Sequence, residues 1–263
     1  MPRFISSILF ILASVSIISA SNLTDQAEKA YQNESYQEAV DLYRQAIEKE
    51  GTSATLYYNL GNAEYRLGHT ARAILAYERA LRLDPTDSDT RTNLEFVNDR
   101  IVDKKGETGS FIYNTFVSFT NIFSSNGWAW IAILFFCLTL AGIVAYTLSE
   151  IVWLRKIGFF GGIASLLFTI FAIILAFKAR SFSLDDKDAI ITAETSILST
   201  VPRPPVNHDE EAMLLHEGTK VRVLRSMKID VDSVAQTWNE VEVDNKHRAW
   251  INSDDIEKIW PEK

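Results

Sequence analysis

A 34-residue period near the N-terminus constrains the fold of this chain more than any other feature. The recurrence appears at three pairs of positions: Ala39 and Ala73, Tyr43 and Tyr77, Ala46 and Ala80. Periods of this length are typical of repeats in which each unit is a pair of packed helices. Gly61, Ala73 and Ala80 are small, and we expect them where two helix backbones come close.

The second copy of the period resembles a tetratricopeptide repeat. It runs from Tyr57-Tyr-Asn-Leu-Gly-Asn-Ala through Leu67-Gly68 to Leu83-Asp84-Pro85. A partial third copy begins at Asn93, one period after Asn59, and its first helix is predicted to cap the array. We therefore predict an all-α tetratricopeptide solenoid over residues 22–105, built to present a binding surface.

The first helices of the units supply a predicted docking face for a partner protein. In the tetratricopeptide resemblance the inner side of these helices carries Tyr58, Asn59, Asn62, Tyr65, Arg66 and Asn93. Four of them share one helix face at three- and four-residue spacing. Asparagine amides can pair with an extended backbone, and Arg66 can bind a carboxylate. The alternative is that Tyr58 and Tyr65 are only helix packing, which aromatic stripes at this spacing commonly are.

Residues 1–20 have the form of an exported leader. Arg3 precedes an apolar run from Phe4 to Ile18, and small residues follow up to Ala20. We expect cleavage after Ala20; an uncleaved anchor is the alternative, because Ile18 suits a cleavage site poorly. Both alternatives place the repeats outside the cytoplasm.

Two apolar segments, residues 128–148 and 157–177, contain no charged residue. Each is long enough, at ~1.5 Å per residue, to cross a hydrocarbon core of ~30 Å. The connection at 149–156 contains Arg155 and Lys156, which predicts a cytoplasmic loop with both flanking domains outside. Transport is disfavoured, since ionisable groups are missing from the two segments.

Small residues in these segments predict close helix packing. Gly158 and Gly162 are four residues apart, as are Ala141 and Ala145, and they serve either this hairpin or a partner's transmembrane helix.

Residues 106–127 are predicted to be a linker and an amphipathic helix. Its apolar positions are Ile112, Phe116, Phe119 and Phe123, and it lies either on the membrane surface or against the last repeat.

Residues 189–261 change to the short alternating runs of β-strands. The runs start at Ala189, Thr219, Trp238 and Arg248, and Asp244-Asn-Lys246 supplies a turn. This part resembles the bacterial SH3-like small β-barrel through His216-Glu-Gly-Thr-Lys-Val-Arg-Val-Leu224, Ala249-Trp-Ile251 and Asp254-Asp-Ile-Glu-Lys-Ile259. The segments 202–211 and 227–236 depart from the pattern and are predicted to be inserted loops.

The order of leader, repeats, membrane hairpin and SH3-like barrel resembles the BatE-type proteins of bacterial aerotolerance operons. The resemblance implies a multidomain membrane protein that acts as a scaffold. It also implies partners, namely von Willebrand factor A-domain membrane proteins and a MoxR-type AAA ATPase, and a role in oxidative or envelope stress. None of these partners follows from the residues themselves.

Composition and motifs argue against several other functions. The net charge of −8 disfavours nucleic acid as a partner, and the single cysteine, Cys137, excludes an intramolecular disulfide. The four histidines show no metal-ligand spacing, and no G-x-S-x-G elbow occurs. We therefore predict no catalytic residue, metal or cofactor. Two functions stay open: a protein-binding scaffold, and an adaptor whose SH3-like domain binds cell-wall glycan or peptide.

Overall fold

The structure, a computed structural model, describes residues 23–103, 111–231 and 234–260. The leader and most of the predicted interdomain linker lie outside these residues. The chain divides into two compact units. The first unit contains the N-terminal helices and the C-terminal strands. The second unit contains three helices, which lie between these two parts in the sequence.

The N-terminal region consists of five helices. They are α1 (23–32), α2 (Tyr36–Glu50), α3 (Ala54–Arg66), α4 (Thr70–Leu83) and α5 (Ser88–Asn98). Polar caps start two of them: the Ser53 hydroxyl accepts from the Leu56 N–H at 3.1 Å, and Asp87 accepts from the N–H groups of Asp89 and Thr90. The helix pairs follow the 34-residue period, with α5 as the last helix of the array.

Small residues lie where the sequence predicts close helix contacts. A Cβ atom built on Gly61 would lie 2.6 Å from Cε1 of the Tyr77 ring, so α3 and α4 approach each other through that glycine. Ala73 and Ala80 are fully buried. The apolar core continues through both helix pairs of the array, because Tyr43 and Tyr77 occupy equivalent buried positions in α2 and α4.

The C-terminal domain is a seven-stranded antiparallel half-barrel. Its strands are β1 (Asp188–Ile191), β2 (Thr195–Ser199), β3 (Glu211–His216), β4 (Lys220–Val231), β5 (Val234–Glu242), β6 (Arg248–Asn252) and β7 (Ile256–Lys258). The order in the sheet is β3-β2-β6-β5-β4-β1-β7. Alternate residues such as Val241, Ala249 and Ile251 fill its buried face. The turn predicted after β5 is present, with Asp244 accepting from the N–H groups of Lys246 and His247.

Two features of this domain differ from the sequence-based prediction. The segment 227–236 is not an inserted loop: β4 and β5 extend through most of it, and Met227 pairs with Trp238. Strands β2 and β3 were not predicted at all. Strands β2 and β3 each expose side chains on one face and lack the regular apolar alternation by which a half-buried strand is recognised.

The repeat array and the β domain pack against each other through an apolar cluster. Ile74 and Ile101 of the helical region contact Ile190 and Ile259 of the β domain. A Cβ on Gly218 would lie 2.9 Å from both Ile74 and Ile101, and the positive φ of +85° at this turn also favours glycine. The two domains therefore share one hydrophobic core.

Ion pairs surround this shared core. Arg82 of α4, 1% exposed, donates to the buried carboxylate of Asp188 at the start of β1. Lys220 of β4 binds Glu78 at 2.8 Å. The carboxylate of Asp103 accepts hydrogen bonds from the backbone N–H of His216 and the hydroxyl of Thr219. Arg82, Lys220 and Asp103 thus each have a polar or charged partner across the junction of the two domains.

The second unit consists of α6 (Phe111–Thr120), α7 (Ser125–Leu148) and α8 (Val152–Ser183). Helices α7 and α8 are each long and apolar enough to cross a membrane. A Cβ on Gly142 would lie 2.8 Å from the carbonyl oxygen of Gly158, so the glycines bring these two helices together. Of the two alternatives for Gly158, packing within the hairpin is the one observed.

Two details of this unit refine the sequence analysis. Helix α8 begins at Val152, so Arg155 and Lys156 lie in its first turns and the connection shortens to three residues. Helix α6 packs against the hairpin: the Trp128 indole N–H donates to the Thr120 carbonyl at 2.8 Å, and Phe119 contacts Phe171 of α8. The amphipathic segment therefore belongs to the hairpin unit.

Candidate protein-interaction site

The predicted docking face is a continuous row of aromatic, amide and arginine side chains along the array. We call it the tyrosine face and define it by Tyr31, Tyr36, Tyr58, Asn62, Tyr65, Arg66, Asn93, Phe96 and Arg100. Helices α1, α2, α3 and α5 contribute to it, and Arg100 follows the end of α5. Asn59, also predicted for this face, lies half-buried on α3, one turn before Asn62.

A hydrogen-bond network around Asn62 forms the centre of the face. Its Oδ1 accepts from the Tyr77 hydroxyl at 2.7 Å and from Asn93 Nδ2 at 3.0 Å, and Asn93 Nδ2 also lies 3.4 Å from the Tyr58 hydroxyl. Tyr77 is 2% exposed, and burial raises its pKa far above the usual value. The structure thus brings together the predicted residues Tyr58, Asn62 and Asn93.

The network assigns Asn62 a structural task that the sequence did not indicate. Removal of Asn62 would leave the buried Tyr77 hydroxyl with one partner fewer, and an unsatisfied buried polar group costs about 1–3 kcal/mol. A partner-binding test on this face must therefore use other residues.

One end of the face is organised around Arg66. Its Nε donates to the Tyr36 hydroxyl at 3.1 Å, and its guanidinium lies over the Tyr36 ring at 5.2 Å from the centroid. The hydrogen bond to Tyr36 raises the pKa of Arg66. Tyr31 packs edge-on against Tyr36 at 5.3 Å. Arg66 itself is exposed, so its charge is presented on a rigid aromatic base.

The other end repeats this arrangement around Arg100. Its guanidinium lies 3.9 Å from the centroid of Phe96, and it donates to the Tyr65 hydroxyl. Phe96 is 48% exposed and meets Tyr65 edge-on. The predicted docking residues did not include Tyr31, Tyr36, Phe96 and Arg100. A signal for Arg100 was present, since Arg100 follows Arg66 by one 34-residue period, as Tyr65 follows Tyr31.

Tyr58 and Tyr65 take part in helix packing, which the sequence analysis set out as the alternative to partner docking. Both side chains are partly buried against the apolar clusters of the array. Their hydroxyls nevertheless take part in the hydrogen bonds of the face. Half-buried tyrosines flanked by arginines are the side chains that protein interfaces favour, because they offer large contact areas with little loss of entropy.

The histidines take part in local pairs with acidic side chains. His69 lies 2.7 Å from the buried carboxylate of Glu64, which also binds Arg44, and His216 lies 3.1 Å from Asp103. In the part of the chain that the structure describes, no group of three His, Cys, Asp or Glu side chains is arranged to hold a metal ion. The pairs observed act in packing and in turns.

Comparison with known proteins identifies the helical region. Residues 24–88 match the tetratricopeptide repeat family. The N-terminal region is a tetratricopeptide repeat array. A segment of 67 residues is 34% identical to "Protein SGT1 homolog" of Oryza sativa subsp. japonica, covering 26% of this chain and 18% of that protein. The chain spans less than a fifth of this relative's length, so the similarity does not extend to the whole protein.

Proposed function

We propose that this protein is a membrane-anchored scaffold that binds partner proteins through the tyrosine face. The observation that carries the proposal is the face itself, in which exposed Arg66 and Arg100 flank half-buried aromatic and amide groups. Tetratricopeptide arrays serve protein–protein interaction, and arginines at both ends of the face suit a partner segment with carboxylates at its two ends.

The surface of α7 and α8 supports the membrane anchor. Most of their apolar side chains are exposed, among them Leu148 at 77% and Phe160 at 68%. An apolar surface of this extent requires cover, and a hydrocarbon core supplies it. A core helix of a soluble domain would instead bury these side chains against its own chain.

The shared core of the first unit supports one topology. The repeats precede the hairpin and the β domain follows it, yet Arg82 and Asp188 from the two domains meet in a buried ion pair. This contact supports a topology in which both domains lie on one side of the membrane, and two crossings by α7 and α8 would satisfy it. The leader and the basic residues Arg155 and Lys156 favour the extracytoplasmic side for both.

The resemblance to BatE-type proteins supports the finer part of the proposal. It names von Willebrand factor A-domain membrane proteins and an associated ATPase as partners, and aerotolerance or envelope stress as the process. In this proposal the protein has no catalytic activity of its own and uses no cofactor.

Double replacement of Arg66 and Arg100 by alanine tests the tyrosine face. Both side chains are exposed, so the fold should keep its melting temperature. We expect recovery of integral membrane partners from mild detergent to fall at least tenfold, which corresponds to ~1.4 kcal/mol. The matched control is Arg72→Ala, since Arg72 is exposed on α4 and makes no contact with the face. Equal recovery by the double variant and the control would refute the proposal.

Thiol labelling tests the topology. With Cys137 replaced by serine, single reporter cysteines are placed at the exposed positions Glu38, Glu150 and Lys246. An impermeant reagent added to intact spheroplasts should label Glu38→Cys and Lys246→Cys but not Glu150→Cys. Labelling of Glu150→Cys alone would reverse the topology. Labelling of only one of the other two would contradict the shared core.

A further inference from the structure

The two edges of the β domain differ in how they are covered. Strand β7 lies at one edge, where Arg79 of the repeat array donates to the carbonyl oxygens of Ile259 at 2.8 Å and Lys258 at 3.0 Å. The same arginine binds the carboxylate of Glu257. Strand β3 lies at the other edge. An edge strand presents a row of backbone groups ready to pair with another chain, and proteins usually block it.

The register of β3 shows which backbone groups point outward. His216 stands opposite Thr195 of β2, but its N–H donates to Asp103 of the helical region instead of to β2. In an antiparallel ladder the direction of the backbone groups alternates along the strand. Leu214, two residues before His216, therefore also directs its N–H and C=O away from β2.

Exposed apolar side chains lie beside these backbone groups. Leu214 and Ile197 stand directly opposite each other on β3 and β2, and they are 51% and 50% exposed. They line a shallow cavity of about 360 Å³ together with His208 and Met213. The strand Glu211–His216 contains neither lysine nor proline, the residues that commonly protect an edge.

The surroundings of β3 are acidic. From Glu194 to Glu217 the chain carries five carboxylates and one arginine, a formal charge of −4 with neutral histidines. The arginine, Arg203, is already paired with Glu210 at 2.6 Å. Asp209 and Glu211 are exposed near the apolar cavity. A strand that docks here must therefore bring positive charge to complement the edge.

We propose that β3 is a second docking site, at which an extended peptide of a partner protein adds a strand to the sheet. Main-chain hydrogen bonds to β3 provide affinity, as in other cases of strand addition. In the docked peptide, every second side chain is apolar and covers Leu214 and Ile197. The side chains between them are lysine or arginine and face the carboxylates. This site is separate from the tyrosine face and does not depend on it.

Binding of a synthetic probe to the full-length protein in detergent tests this site. The probe is a fluorescent nine-residue peptide of alternating lysine and valine, measured by anisotropy at about physiological ionic strength, with detergent alone as background. One control peptide carries N-methyl groups on alternate amides, which removes strand pairing but keeps charge and side chains. A second control replaces valine by serine. We expect both controls to bind at least tenfold more weakly than the probe.

Variants of the protein locate the binding. Leu214→Lys should weaken binding of the lysine–valine peptide at least tenfold, because it adds a like charge and removes the apolar contact. Val234→Lys is the matched control, since Val234 is 59% exposed on β5, and it should bind as the wild type does. The Arg66→Ala, Arg100→Ala double variant should also bind as the wild type does.

Four results would overturn the proposal. Equal binding of the N-methylated peptide would show attraction by charge alone, and unchanged binding by Leu214→Lys would place the peptide elsewhere. Sedimentation that shows a dimer of wild type, dissociated by Leu214→Lys, would assign the edge to a second copy of this chain. Absence of binding by the lysine–valine peptide would exclude the stated chemistry.

Discussion

The buried pair of Arg82 and Asp188 offers a direct test of the shared core. Arg82 is 1% exposed and Asp188 is 8% exposed, and the bond between them joins the repeat array to the β domain. Asp188→Ala leaves the guanidinium of Arg82 buried without this carboxylate. Arg222, which also binds Asp188, is 43% exposed and can be solvated instead. The cost therefore comes mainly from Arg82.

The expected loss is large enough to measure easily. Removing one partner of a buried ion pair costs ~3–5 kcal/mol, because the remaining charge stays out of water. With an m-value of about 2 kcal/mol/M in urea, the unfolding midpoint should fall by roughly 1.5–2.5 M. The emission of Trp238 and Trp250, both buried in the β domain, reports the transition for the full-length protein in detergent.

A matched variant removes a carboxylate from an exposed pair in the same domain. Glu242 binds Arg248 at 3.1 Å, and the Arg248 side chain is 63% exposed. Glu242→Gln should change the stability by less than about 1 kcal/mol, or roughly 0.5 M in midpoint. If Asp188→Ala and Glu242→Gln shift the midpoint equally, the pair is not buried as described and the two domains do not share a core.

Two further predictions concern the repeat array and its junction with the β domain. Gly61→Ala forces a Cβ against Tyr77 and should lower the stability by ~1–3 kcal/mol. The control Glu48→Ala, at an exposed position on α2, should lower it by less than about 0.5 kcal/mol. Equal melting temperatures of the two variants would contradict the packing at Gly61. Burial raises the pKa of Asp103, but hydrogen bonds from His216 and Thr219 outweigh it and lower the pKa below its usual value. This contribution is present above the unfolded pKa of about 3.9 and disappears as the pH falls through the lower folded pKa, so Asp103→Asn should flatten the acid limb of a stability profile. An acid limb identical to the wild type would contradict the Asp103 contacts.

Local patterns predicted most of the helical architecture because helices depend on residues close in sequence. The 34-residue period located the repeats, and the small side chains of Gly61 and Ala73 marked the close contacts. The same period links Arg66 to Arg100, so even the missed end of the tyrosine face was accessible from the sequence. The two long apolar segments were recognisable by length and composition alone.

Strands β2 and β3 show where local patterns are insufficient. Leu214 and Ile197 are apolar but exposed, so the alternation that marks a half-buried strand is lost in both segments. Their pairing is determined by the rest of the sheet. The outer part of the β4–β5 hairpin, residues 227–236, was predicted to be a loop; its strands pair with each other, but none of its described side chains is buried.

The sequence by itself determined the order of the elements, the repeat period, the apolar helices and most of the residues on the tyrosine face. Only the tertiary structure decided that the repeats and the β domain form one unit, and that Asn62 supports Tyr77. It also decided that Arg79 covers the β7 edge, while the β3 edge is contacted by Asp103 at His216 and exposes Leu214. The physical reason is distance along the chain. Arg82 and Asp188 are 106 residues apart, and no periodic pattern in the sequence links them. The energy of a buried ion pair depends on which surfaces meet in the fold and not on the local sequence around each residue.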